Sequence, residues 1–205
     1  MPRLNFETQL PSGYKEALHI DAKDAKTGII MNLVSLLILG IVMAIAYLPI
    51  KLNNVDLFAG FIDIDENPAK PMIVMSIFCF AMLAYVVMHE LVHGIAYKCL
   101  TGERLTFGIS WSCAFCGVPH IYSYRKTAII SSAAPLVLFS LIFGAVTVAL
   151  YFVSPIYYLL SAVIFGLHLG GCSGDMYIIL MLLKYNDPKV LMRDTGPEQF
   201  LYIPD

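Results

Sequence analysis

The chain has 205 residues, of which 59% are hydrophobic and only 14% charged, and its mean hydropathy is +0.74. Soluble domains carry nearer a quarter charged residues, so an ordinary water-soluble fold is excluded. A net charge of −2 offers no basic face for nucleic acid, and five cysteines, an odd number, do not make a disulfide framework. The expected fold class is an all-α integral membrane protein. It has about four transmembrane helices and a short β-like or re-entrant segment between the second and third.

Residues 1–27 are polar, with Arg3, Glu7, Lys15, Glu16, Asp21, Lys23, Asp24 and Lys26 among sparse apolar residues. They read as a cytosolic tail without a core, with a turn at Pro11-Ser12-Gly13 and a short helix over 14–26. The first apolar run starts only at residue 28 and therefore reads as a retained span, not a cleaved signal. It continues uncharged to residue 50, long enough to cross the hydrocarbon at about 1.5 Å per residue. Residues 51–70 form a polar loop whose stretch 55–64 is apolar enough to lie on a membrane surface. Asp63 and Asp65 alternate there, but the rest of a calcium-binding loop is missing.

The second span covers 71–99 and carries the most informative stretch, His89-Glu90-Leu91-Val92-His93. On a helix, residues four apart lie on one face about 40° apart, so His89 and His93 can share one metal ion. Glu90 sits about 100° round from His89, placed to act as a base without being a ligand. Two imidazoles and a carboxylate at this spacing are what a zinc hydrolase needs. From Pro71 to Gly94 these three are the only charged or histidine side chains. Such groups at membrane depth are costly unless they share a purpose, which argues against a solvated helix that matches by chance.

Residues 100–125 lose the helical pattern and turn β-branched and aromatic, as strands or a re-entrant loop. Cys113-x-x-Cys116 with His120 nearby could bind a second metal or act as a redox pair, although a single CxxC more often packs. The third span, 126–153, opens with Ser131-Ser-Ala-Ala-Pro135. Small residues allow close helix approach, and Pro135 frees a carbonyl. The fourth span, 155–184, contains His168 and Asp175, and Asp175 is the only carboxylate inside any span besides Glu90. Residues 185–205 read as a polar cytosolic tail, disordered or lying on the membrane surface. The membrane-embedded domain is thus 28–184.

Lys and Arg flank the spans in the N-terminal tail, in 98–126 and in the C-terminal tail, and the 152–156 turn has none. Positive-inside logic places both termini and the 100–125 segment in the cytosol of a multi-pass protein. The second and fourth spans then run in the same direction. His89 lies 18 residues after Pro71 and Asp175 lies 20 after Pro155, so both sit roughly 27–30 Å along their helices. This depth match favours Asp175 as third ligand. His168, about 10 Å higher, is the competitor. Pro135, His168 and Ser173 are candidates to line the cleft or support the ligands.

His89–Gly94, Ala133-Ala134-Pro135-Leu136 and Gly174-Asp175-Met176 resemble three motifs of the site-2 protease type of intramembrane metalloproteases. The chain looks closest to a small bacterial group described as putative zincin peptidases. The resemblance implies one zinc ion on His89, His93 and Asp175, with Glu90 as base. It also implies a bacterial cell-membrane location and a 105–123 segment that presents an extended substrate strand to the metal. Ala134 replaces a glycine found in many members, and Asp175 lacks their following glycine.

The resulting expectation is a membrane-embedded zinc endopeptidase that cleaves membrane-associated proteins or peptides by means of a Glu90-activated zinc-bound water. Its rivals are a zinc hydrolase of a non-peptide substrate and a non-catalytic metal-binding membrane protein, a sensor or transporter.

Overall fold

The uninterrupted apolar runs form helices, and the computed structural model describes residues 5–56, 69–109 and 114–205. Helix α1 (Ala25–Leu52), α2 (Lys70–Thr101) and α3 (Arg125–Tyr151) are each long and apolar enough to cross a bilayer. Two shorter helices, α4 (Pro155–Gly171) and α5 (Ser173–Lys184), make a fourth such segment only when taken together across a break at Cys172. The single helix expected over 155–184 is therefore corrected to two helices that meet at Cys172. Many large side chains remain outward on these helices, including Leu36, Leu37, Ile45, Ile77, Phe80, Leu141 and Val148. That much exposed hydrocarbon suits a lipid surround, where helices also satisfy every backbone polar group internally.

The all-α expectation is corrected as well. Strands β1 (Phe6–Glu7), β2 (Tyr14–Asp21), β5 (Tyr122–Tyr124), β6 (Leu191–Asp194) and β7 (Glu198–Pro204) form an antiparallel sheet in the order β1-β5-β6-β7-β2. A separate hairpin pairs β3 (Thr106–Ile109) with β4 (Ala114–Gly117). The β-like reading of 100–125 thus holds for its described residues. The helix expected over 14–26 is instead a strand up to Asp21, and neither terminal segment is a tail without a core. Leu18 faces Leu201 across the β2–β7 pair. Leu201 is fully buried with Val190 and Met192. Strands β2 and β7 are only part-buried at most positions and β6 is four residues long, so their apolar residues are too sparse for either end of the chain to look structured alone.

The described chain divides into two units. One gathers residues 1–32, 87–136 and 173–205, which hold the sheet and the hairpin. Its core is built from Phe6, Tyr97, Val118, Ile121, Ala128, Ile178, Leu182, Val190, Met192 and Leu201. Strand β5 runs directly into α3, where the Arg125 amide donates to the Val190 carbonyl at 2.9 Å and its Nε to the Leu182 carbonyl at 2.6 Å.

The other unit comprises residues 33–86 and 137–172, and its described residues are mainly helical. Small residues set its packing. A Cβ on Gly170 would meet the Ser35 carbonyl oxygen at 2.8 Å, and one on Gly166 would meet Leu39 Cδ1 at 2.7 Å. Ser35 Oγ donates to the Gly170 carbonyl at 2.6 Å, a side-chain-to-backbone bond that the missing Gly170 side chain makes room for. Ala46, Ile50, Tyr158 and Ala162 form its buried cluster.

Candidate metal centre

Helix α2 carries His89, Glu90 and His93 in its C-terminal half, and Gly94 follows. A Cβ on Gly94 would lie 2.7 Å from Phe107 Cζ, 3.1 Å from Leu105 Cδ1 and 3.3 Å from Cys116 Sγ. The absent side chain is therefore what lets the β3–β4 hairpin lie against α2 beside the two histidines. From β4, the backbone amide of Cys116 donates to the Glu90 carboxylate. Burial pushes the Cys116 thiol up to about 12, with the charges of Asp194 and Glu90 adding to it. It is a protonated packing group and not a thiolate. His120 is exposed. Cys113 lies outside the described residues, as do Asp63, Asp65 and most of the 55–64 stretch.

Asp175 comes from the first turn of α5. A carboxylate is favoured there by the amide dipoles of the helix start, which the break at Cys172 creates. Its Oδ2 lies 3.3 Å from His89 Nε2 and its Oδ1 lies 3.3 Å from His93 Nε2. The side chains of His89, His93 and Asp175 are only 12%, 10% and 15% exposed. Charge-assisted hydrogen bonds close to about 2.7–2.9 Å, so 3.3 Å is long for a direct ion pair. It is close to the ligand–ligand edge of a tetrahedron with bonds of about 2.0–2.1 Å, roughly 3.4 Å. One ligand atom from each of the three lies within 4.8 Å of the others. The donor set, two imidazole nitrogens and a carboxylate, suits Zn²⁺ with one position left open.

The far side of His93 is also held. Its Nδ1 lies 2.8 Å from the carbonyl oxygen of Ser131 on α3, so the ring donates from Nδ1 and keeps Nε2 toward Asp175. One turn along α2, Tyr97 donates its buried hydroxyl to Asp194 Oδ2 at 2.8 Å, and the Gly196 amide donates to Asp194 Oδ1 at 2.8 Å. Burial raises Asp194 from 3.8 to about 6, against those two hydrogen bonds, which pull the other way.

The sequence model of a family described as "Putative zincin peptidase" matches residues 82–189, just over half of the chain. The chain belongs to that family. Membership in the zincin peptidase family points to zinc metallopeptidase chemistry, and the matched stretch contains His89, Glu90, His93 and Asp175. No curated protein and no solved structure matches the chain.

Pro135, Ser173 and His168 are the other residues singled out in the sequence. Pro135 lies in α3, four residues beyond Ser131, and is buried. Ser173 opens α5 two residues before Asp175 and is buried. His168 belongs to the helical unit, fully buried. Its Nδ1 meets Tyr85 Oη at 2.7 Å, its Nε2 meets Ser140 Oγ at 3.1 Å, and Phe139, Phe143 and Phe165 surround the ring. Sequence reasoning missed Tyr97 and Asp194. Tyr97 had a signal, since it continues the i, i+4 row from His89 and His93. Asp194 had none, lying in what read as a tail.

Proposed function

We propose that this protein is a membrane-embedded zinc endopeptidase that cleaves peptide bonds in membrane-associated proteins. The observation that carries the reading is the convergence of two imidazole Nε2 atoms on one carboxylate, each 3.3 Å from a different oxygen, with one ligand atom of each residue within 4.8 Å of the others. A zinc ion held by His89, His93 and Asp175 would supply Lewis acidity, polarising the scissile carbonyl and acidifying water at neutral pH. Glu90 takes the proton of the attacking water and returns it to the leaving amine nitrogen. The Cys116 amide fixes the Glu90 carboxylate for that transfer, and the Ser131 carbonyl fixes the His93 ring. The β3–β4 hairpin, with Phe107 and Ile109 exposed, offers backbone to an extended substrate beside Glu90. The basic residues flanking the spans put the site near the cytosolic side of the bilayer, from which water reaches it.

The test uses purified full-length protein in lipid vesicles with a transmembrane reporter substrate, and compares wild type with Glu90→Gln for cleavage and for bound zinc. Loss of cleavage by about 10²-fold or more with zinc retained is expected of a general base that is not a ligand. Equal cleavage by the variant, or a wild type that takes up no zinc, would overturn the reading.

A further inference from the structure

Helix α3 contains a proline in its interior, Pro135. In an α-helix the amide of residue 135 would donate to the carbonyl of residue 131, and proline has no amide hydrogen to give. Its ring also presses on that same carbonyl and turns it away from the helix axis. A carbonyl freed in a membrane segment must find another donor, because lipid supplies none. The donor found by the Ser131 carbonyl is His93 Nδ1 at 2.8 Å, on α2. Both groups are buried: Ser131 is 0% exposed and His93 8%.

We infer that Pro135 is a positioning residue for the metal ligand His93. It strips the Ser131 carbonyl of its helical donor and turns it toward Nδ1, which sets the ring plane and keeps Nε2 for the ion. The inference rests on the zinc reading of the centre. The residues between fit the role. Ser132, Ala133 and Ala134 are small, so the backbone of α3 can come within hydrogen-bond reach of the imidazole. Pro135 is not itself a metal donor, and the role inferred for it runs through the Ser131 carbonyl. With alanine at 135 an amide hydrogen returns, the carbonyl swings back toward the helix axis, and His93 loses its fixed acceptor. Partners of this kind usually govern metal affinity about 10–100-fold.

The experiment measures zinc affinity of the full chain in detergent by competition with a chromogenic chelator. It also records the His93 Nδ1 proton by NMR of zinc-loaded, histidine-labelled protein. Wild type is compared with Pro135→Ala and with Pro49→Ala, a change at another interior proline, in α1. The expected result is about a 10–100-fold weaker zinc affinity and a faster-exchanging, upfield-shifted Nδ1 proton in Pro135→Ala alone. If Pro135→Ala does not fold, an α-hydroxy acid in place of Ser132 decides. It turns the Ser131 carbonyl into a weak ester acceptor while leaving Pro135 in place, and the same two changes are expected. A wild type that binds zinc beside a Pro135→Ala or ester variant with unchanged affinity and proton signal overturns this inference alone. A wild type that binds no zinc overturns the metal reading and this inference with it.

Discussion

Asp194 should make the folded protein less stable as pH rises from about 4 to 6, and Asp194→Asn should abolish that loss. The carboxyl belongs to β6 and is buried, and it joins that strand to α2 through Tyr97. Burial lifts its pKa from 3.8 to about 6 although the Tyr97 hydroxyl and the Gly196 amide both favour the ionised form. Between those two values the folded state keeps a proton that the unfolded chain has released. The contribution is therefore fully present below about pH 4, is lost through pH 6, and is constant above. A gap of about two pH units at about 1.4 kcal/mol each amounts to roughly 3 kcal/mol. For a chain of this size that is a midpoint shift of roughly 6–12 °C. Asparagine can keep one of the two accepted hydrogen bonds, so the variant should pay about 1 kcal/mol at every pH. Thermal melts followed by circular dichroism at 222 nm, in detergent with chelator present, measure both. Chelator is needed because metal binding has its own pH dependence. The midpoint of wild type minus that of Asp194→Asn should be positive at pH 4 and fall by the stated amount by pH 7. A difference that stays flat across that range would refute the account of a neutral buried acid.

Gly94→Ala should cost about 1–3 kcal/mol, because its Cβ would sit 2.7 Å from Phe107 Cζ and the ring must move; the thermal midpoint reports it, and an unchanged value speaks against the close hairpin contact. Gly170→Ala should cost at least as much. The obstacle at 2.8 Å is the Ser35 backbone oxygen, which no rotamer change can clear, whereas Ser35→Ala should cost only about 1 kcal/mol for the lost hydrogen bond. Metal content measured on purified protein should show one zinc in wild type, none in Asp175→Ala and one in His168→Ala. Zinc kept in the Asp175 variant would remove that residue from the ligand set. Peptidase activity should vanish on dialysis against a strong chelator and return with added zinc, and chelator-resistant cleavage would exclude a metal mechanism.

The helices were legible because each is a local pattern: about twenty apolar residues in a row need no partner to announce themselves. The hairpin announced itself in the same way, through β-branched and aromatic residues between glycines. The sheet did not. Lys15 pairs with Ile203 and Glu16 with Tyr202, residues from opposite ends of the chain. A half-buried strand supplies only two or three apolar residues to recognise. Leu18 and Ile20 in one tail and Leu201 and Ile203 in the other mean little until they are paired. The broken fourth span was hidden for the opposite reason. Its apolar run is continuous enough to span, and Gly170, Gly171 and Gly174 signal a loosened stretch without fixing that the helix ends at Gly171 and restarts at Ser173.

Local pattern along the chain was enough for the long apolar helices, the two imidazoles one helical turn apart, the adjacent carboxylate and the interior proline. All of these depend on spacing along one helix, which covalent geometry dictates. The tertiary structure alone decided that Asp175 meets both histidines at 3.3 Å, that the carbonyl released by Pro135 is taken by His93, and that Asp194 from the C-terminal strands reaches Tyr97. Those contacts join residues 38 to 97 positions apart in sequence. No local propensity encodes such pairings; they exist only because burying a polar group without a partner costs more than the chain can bear.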